Sequence, residues 1–389
     1  MWLATLALAT GLSSAQPTYV PDRLIATPLE NAGRGVALTW RESGPVEIEV
    51  EPADDFAPVG SDRARVEISE SRVPGAGETY KTAEITNLQP GVEFRVTISK
   101  TGGGSYQTLL DLPEADDPLT VLYLGDAQNV SVDPWREVVD QAWAANTDYD
   151  LVLHAGDLVD RANSPNEWDK WFSVMSRSSE TTLHAAAAGN HEYTGGSLSR
   201  YWQAVFEFPD NGVSGLDDTN YVFNYGPARF YVLNTNRDRN EQLTWLKMYE
   251  YRNPDSLWTI VMFHHPVRAG AHGRNGWSAR DRARAEKIFS MFDVDLVLMG
   301  HDHVYYHSQP IRPEGVEGSA PVYVVSFAGT KRYDLRRQPW MAFAVNDTPM
   351  AHPIEITGDS LTFSSEPGTP AFMLEKRDGE TVFIDRSPR

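Results

Sequence analysis

The sequence predicts two parts in series: an all-β sandwich at the N-terminus, then a layered α/β domain of mixed β-sheets flanked by helices. Three observations predict it. Residues 17–113 carry short runs in which apolar and polar side chains alternate, separated by Gly and Pro clusters and interrupted by no amphipathic helix. From residue 119 onwards, short and almost wholly apolar runs alternate with helical patterns, as a layered α/β sheet requires. At 389 residues the chain is also too long for one ordinary core, so two domains are expected.

Residues 1–16 read as a truncated secretory leader cleaved near Ala15: they are apolar and end in Ser13-Ser14-Ala15, though no basic residue precedes the apolar run. The run is too short to span a bilayer, and no later segment offers a membrane helix. Strands follow at Val36–Trp40, Val46–Val50, Ala64–Ile68 and Phe94–Ile98, each alternating with period two. The stretch Ile85 to Phe94 resembles the late-strand signature of fibronectin type III domains, in which the leucine packs under a turn and the aromatic enters the core. Glu114–Pro118 reads as a polar linker, and the second domain as 119–389. Asp133-Pro134 and Ser164-Pro165 are helix starts, each a capping side chain followed by proline. Trp135, Val138, Val139, Ala142 and Trp143, then Trp168, Trp171, Phe172 and Met175, fall at helical spacing and read as core-facing stripes. A further helix is expected over 278–292. After Thr330 short strands return, with Phe372–Glu375 pairing Val382–Ile384 across Asp378-Gly379.

Composition narrows the function classes. Lys+Arg 34 against Asp+Glu 54 gives a net charge of −20, which disfavours nonspecific nucleic-acid or anionic-membrane binding. Cysteine is absent, so any metal must be held by nitrogen and oxygen.

Five apolar runs end in metal-capable side chains: Gly125-Asp126, Gly156-Asp157, Gly189-Asn190-His191-Glu192, His264-His265 and Gly300-His301-Asp302-His303. Chemistry in an open α/β sheet collects beyond the carboxyl ends of its strands. Any one motif alone is an ordinary turn or core histidine; the ordered set of five resembles the calcineurin-like metallophosphoesterase superfamily. With the sandwich in front, the chain resembles a purple acid phosphatase-like enzyme of the bacterial type.

That resemblance implies a site. Asp157 would bridge two divalent or trivalent ions (Fe, Mn or Zn); Asp126 and His303 would hold the first, and Asn190, His264 and His301 the second. Such ions activate water and neutralise a phosphoryl group. His264 is preferred to His265 because the family pattern is His-x-Pro. Two departures stand out: Asp160 lies where purple enzymes carry a tyrosine, and Gln128 where many relatives carry histidine. Gln128 would supply an amide oxygen or hold a water. Gly156 to Arg161 also resembles the matching motif of Ser/Thr protein phosphatases, which implies that Asp160 orients His191 and that Arg161 grips a phosphate oxygen. For Arg161 a surface ion pair is the alternative. His191 and His272 are candidate proton donors, and Asn129, His307 and Arg268 could approach substrate.

The expected activity is hydrolysis of a small phosphate monoester by an exported (secreted or periplasmic) enzyme. Two alternatives stay open: a phosphodiesterase acting on nucleotides or lipid headgroups, and a binding protein on an inactive phosphatase fold. Composition does not address the oligomeric state.

Overall fold

Alternation in the N-terminal part folds into two facing sheets. In the computed structural model, which describes residues 19–54, 63–128, 132–146, 148–175, 182–254, 256–366 and 368–387, Val46–Pro52, Phe94–Lys100 and Ser105–Leu110 form one of them. Facing it are Asp22–Pro28, Val36–Arg41, Glu78–Thr86 and Arg65–Val73. The leader reading over 1–16 and Asn129 lie outside the described residues.

The second of these sheets does not stop at the expected domain boundary. Asp22–Pro28 pairs in parallel with Leu183–Ala186, Ala26 opposite Leu183, so the N-terminal strands extend the sheet of the following domain to eleven strands. One apolar cluster runs through both parts, from Leu24, Trp40 and Ile85 to Val121, Leu153 and Trp171. Arg23 fastens them further: its buried guanidinium bonds Glu78, Tyr80 and, on the helix Pro165–Met175, Asp169.

The α/β domain has two layers of sheet. Leu119–Leu124, Leu151–His154 and Leu183–Ala186 are parallel neighbours in the first. Ala228–Leu233, Trp258–Phe263, Leu296–Met299 and Val322–Val325 are parallel neighbours in the second, seven-stranded sheet. The carboxyl ends of these strands carry all five motifs. The C-terminal hairpin expected across Asp378-Gly379 forms, and both turn residues have positive φ (51° and 81°), as a tight twisted hairpin requires.

Helices occupy Asp133–Ala145, Pro165–Met175, Arg239–Arg252 and Ala279–Met291. Asp133 is the first residue of its helix rather than the cap, which falls on Val132. The helix Arg239–Arg252 escapes sequence reading because two of its buried positions are polar. Gln242 exchanges hydrogen bonds with Asn234, and Glu250 takes Arg229 and Tyr231.

His352 and His307 are buried among aromatic rings at the junction of the two sheets. His352 Nε2 meets Ser326 Oγ, its Nδ1 lies 3.0 Å from Ser364 O, and the ring stacks on Tyr305. Burial holds His352 down at about 3 and His307 at about 4. An unfolded histidine titrates near ~6.5, so the stability these groups contribute is complete above that pH and is lost as pH falls towards the folded values. His352→Asn should therefore destabilise the protein at pH 7.5, and the gap to wild type should shrink at pH 4.5. Urea midpoints of the two proteins that stay equally far apart at both pH values would contradict this.

Candidate metal centre

The candidate ligands leave their strands in an uncommon backbone conformation. Asp126, Asp157, His301 and His303 have φ of 42°, 55°, 74° and 46°, in the left-handed region that side chains other than glycine rarely adopt. Such residues cost about 1–3 kcal/mol each and cluster where a surrounding structure over-determines them. Here Asp126 N–H donates to Gly156 O (3.2 Å) and Gln128 N–H to Asp157 O (2.9 Å), tying the first two motifs together. Glycine is required where backbone meets carboxylate. A Cβ on Gly189 would lie 2.2 Å from Asp157 Oδ1, and one on Gly300 would lie 2.6 Å from Asp126 Oδ2.

All seven predicted ligands converge. Asp126, Asp157 and His303 form one group of potential ligand atoms, and His264, His265 and His301 a second, each within 4.8 Å. Asp157 Oδ2 lies 3.1 Å from His264 Nε2 and 3.4 Å from Gln128 Nε2. His264 Nε2 also faces Asn190 Oδ1 and His301 Nδ1, each at 3.2 Å. His303 Nε2 lies 3.4 Å from Asp126 Oδ1 and 3.3 Å from Gln128 Nε2.

The outward atoms fix which ring nitrogens point inward. His264 Nδ1 donates to Ala155 O at 2.8 Å and His303 Nδ1 to Lys331 O at 2.9 Å, leaving each Nε2 to the centre. Asp126 Oδ1 and Gln128 Oε1 are buried without a hydrogen-bond partner. Ring nitrogens facing one another beside two carboxylates, with orphaned oxygens among them, fit a cation of the kind that imidazole and carboxylate hold.

The electrostatics agree. Burial lowers His301 to about 2, His265 to about 3 and His303 to about 4, so these rings are neutral and able to ligate. Burial also opposes charge on His264, but the Asp157 carboxylate outweighs it and lifts the ring to about 10. Asp157 is held well below the usual carboxylate range: burial pushes it up, and His264 more than reverses that. Asp126 is pushed well above it, by burial and then by Asp157.

Other predicted residues stand differently. His191 Nδ1 donates to the main-chain oxygen of Asp160 at 2.7 Å, while the Asp160 carboxylate, half exposed, lies at 3.5 Å. The orienting group is therefore the carbonyl, because the turn after Asp157 brings the chain itself against the ring. Arg161 pairs with Glu167 (2.6 Å) with its side chain 72% exposed, which is the surface ion pair offered as the alternative to a phosphate fork. His272 is exposed, and its main chain is anchored to Asp334. Arg268 pairs with Glu286, and His307 lies in the aromatic core. His265 bonds Thr235 Oγ1 at 2.8 Å and leaves its other nitrogen beside the second group.

Sequence reasoning misses four residues. Glu192, wholly buried, accepts the N–H groups of Asp157 (2.9 Å), Leu158 (2.8 Å) and Gly189 (2.8 Å), and burial raises it to about 7. Asp302 Oδ2 accepts Gly270 N–H at 2.6 Å and so docks the loop after His264. Arg274 and Tyr333 flank His301 and His303. Only Glu192 and Asp302 carry a sequence signal, since they lie inside the motifs.

A family model for calcineurin-like phosphoesterases matches residues 119–305. An uncharacterised protein of Mycobacterium tuberculosis is 29% identical over 179 residues, covering 40% of this chain and 34% of its own. Probable inactive purple acid phosphatase 24 of Arabidopsis thaliana is 25% identical over 255 residues, covering 56% and 40%. This chain thus spans well under half the length of those relatives. Among solved structures, a purple acid phosphatase from yellow lupin (Lupinus luteus) seeds superposes with TM-score 0.69 at 16% identity, over 95% of this chain and 75% of its own. PhoD superposes with TM-score 0.62 at 13% identity, over 96% and 94%.

Because Glu192 holds the loops and no candidate ligand is altered by changing it, Glu192→Ala isolates the supporting shell. Metal affinity should fall by about 10–100-fold while the fold persists, as read by elemental analysis after dialysis and by circular dichroism. Full metal retention would show that the loops hold without it.

Proposed function

Residues 119–305 form a calcineurin-like phosphoesterase domain, and from that premise we propose that this protein is an exported binuclear metal-dependent hydrolase of phosphate monoesters. The observation that carries the reading is the position of Asp157, whose Oδ2 lies between the group containing His264 and His301 and the group containing Asp126, Gln128 and His303. A carboxylate so placed can serve two cations at once. Bound metal supplies positive charge to phosphoryl oxygens and makes water more acidic.

The chain's own residues do the rest. Asp157 Oδ1 is fixed by His191 N–H at 2.9 Å, so the carboxylate cannot turn away. Asn190 presents its amide oxygen 3.2 Å from His264 Nε2, and the buried oxygens Asp126 Oδ1 and Gln128 Oε1 are left without a hydrogen-bond partner. His191 is half-buried, with Nδ1 engaged by Asp160 O and the far side of the ring left to meet a leaving-group oxygen. The Asp160 carboxylate, 3.5 Å from Nδ1, is the counter-charge when the ring carries both protons. A second reading, a binding protein on an inactive phosphatase fold, is favoured by the name of the Arabidopsis relative alone; the convergence of the candidate donors supports catalysis.

Protein purified without added metal should contain metal and hydrolyse p-nitrophenyl phosphate faster than bis(p-nitrophenyl) phosphate, and a chelator should abolish both rates. A metal-containing protein without turnover would favour the binding reading, and a faster diester rate the phosphodiesterase. Because Asp160 stands where a tyrosine would ligate iron, the holoprotein should show no intense visible band. Its appearance would mean that another tyrosine reaches the metal.

His191→Ala should slow alkyl phosphates about 10²–10⁴-fold, the usual range for a general acid, and nitrophenyl phosphate far less, with metal content unchanged. Asp160→Asn keeps the main-chain carbonyl and should change this bias little. Equal losses on both substrates would move His191 from proton donation to phosphate binding.

A further inference from the structure

Two cations stand against one aromatic ring beside the metal centre. The Arg274 guanidinium carbon lies 4.4 Å from the centroid of Tyr333 and Lys331 Nζ lies 5.6 Å from it. Tyr333 packs edge-on against His303 with centroids 5.0 Å apart, and Arg274 Nη1 lies 3.2 Å from His301 Nε2. The position is built rather than incidental. The loops carrying the two cations are joined by main-chain hydrogen bonds, His272 N to Asp334 O (2.8 Å) and Arg336 N to Gly270 O (2.7 Å).

Stability alone does not account for this pair. Like charges over a shared ring repel, and the chain carries 54 acidic side chains against 34 basic ones. Yet among the described residues neither Arg274 nor Lys331 is ion-paired, whereas Arg23, Arg229 and Arg268 each have a carboxylate. The placement points the same way: Arg274 Nη1 lies 3.2 Å from His301 Nε2 and its Nη2 donates to the Tyr333 hydroxyl, which fixes the guanidinium at the edge of the candidate centre.

We propose that Arg274 and Lys331, set against Tyr333, form an anion subsite that takes a second phosphate of the substrate, so that the protein prefers phosphoesters bearing more than one phosphate. The substrate preference rests on the phosphoesterase reading; the anion subsite itself does not.

The test compares propane-1,3-diol bisphosphate with propyl phosphate, which share an alkoxide leaving group and differ in the second phosphate. Wild type should favour the bisphosphate in kcat/KM. Arg274→Ala/Lys331→Ala should lose roughly 10–100-fold on the bisphosphate, as removal of charge-assisted bonds does, mostly in KM, and only a few-fold on propyl phosphate. Calorimetry with the non-hydrolysable propane-1,3-bisphosphonate and propylphosphonate reads binding without turnover. The wild-type preference for the bisphosphonate should vanish in the double variant at unchanged metal content. Equal losses on both substrates would assign Arg274 to the scissile phosphate and overturn the proposal, as would an unchanged preference. Should the double variant fail to fold, Lys331→Ala removes an exposed side chain and should still weaken the bisphosphonate preference; no change would overturn it. A wild type that turns over neither ester but binds the bisphosphonate more tightly would sink the phosphoesterase reading and leave the subsite standing.

Discussion

Three carboxylates from neighbouring loops share one buried seam, and much of the surrounding structure answers that constraint. Asp126, Asp157 and Glu192 are each no more than 1% exposed. Burial disfavours charge on all three, and the field of Asp157 raises both of the others. The chain compensates locally. Glu192 is solvated by main-chain N–H groups in place of water, Asp157 by His191 N–H and the His264 ring, and Asp126 Oδ2 by His301 N–H at 2.6 Å. What these contacts leave unanswered is Asp126 Oδ1, buried and unpartnered. The seam is short of positive charge, and its remaining donors are imidazoles held neutral by burial. A bound cation resolves both conditions at once.

Bringing the carboxylates together costs backbone strain, and the sheets supply the rigidity to bear it. Four candidate ligands sit at positive φ immediately after strands whose neighbours are buried on both faces. The strand Leu183–Ala186 delivers Asn190, and its outer neighbour is the N-terminal strand Asp22–Pro28. Without that strand Leu183–Ala186 would be a sheet edge, with unpaired main-chain groups beside the centre. The N-terminal sandwich is thus a wall of the sheet that carries the candidate ligands, held there by Arg23 and a shared apolar core.

This coupling also explains what a sequence displays and what it hides. The strand ends are legible because a fully apolar run stopped by glycine and a metal-capable side chain has few other uses, and five in order reinforce one another. Joining of the N-terminal strands to the later sheet is not legible: Ala26 pairs with Leu183 across 157 positions, and neither side chain signals the partner. Asp160 and Arg161 fit a motif that places their side chains at the site. The turn instead offers the Asp160 carbonyl to His191, and Glu167, in the first turn of the following helix, captures Arg161. Arg274 and Tyr333 are hidden for another reason. They lie in loops far apart in sequence, and the pairing of Ala271 with Leu335 brings them to the same side of the centre.

A chain of net charge −20 should repel a phosphoester, yet the candidate site asks one to approach. Screening limits the repulsion, because beyond a Debye length of roughly 8 Å at physiological salt exposed charges act weakly. Inside that distance the balance is set by the few groups that face the ligand. The seam buries its acidic groups behind the histidines, whereas Arg274 is half-buried and Lys331 exposed over Tyr333 on the outer side of His301 and His303. Capture of an anion therefore depends on short-range cations held in place by an aromatic ring, while the acidic exterior acts at longer range and is screened. The sign of the whole molecule and the sign at the site are set by different residues, and only the second governs what can bind.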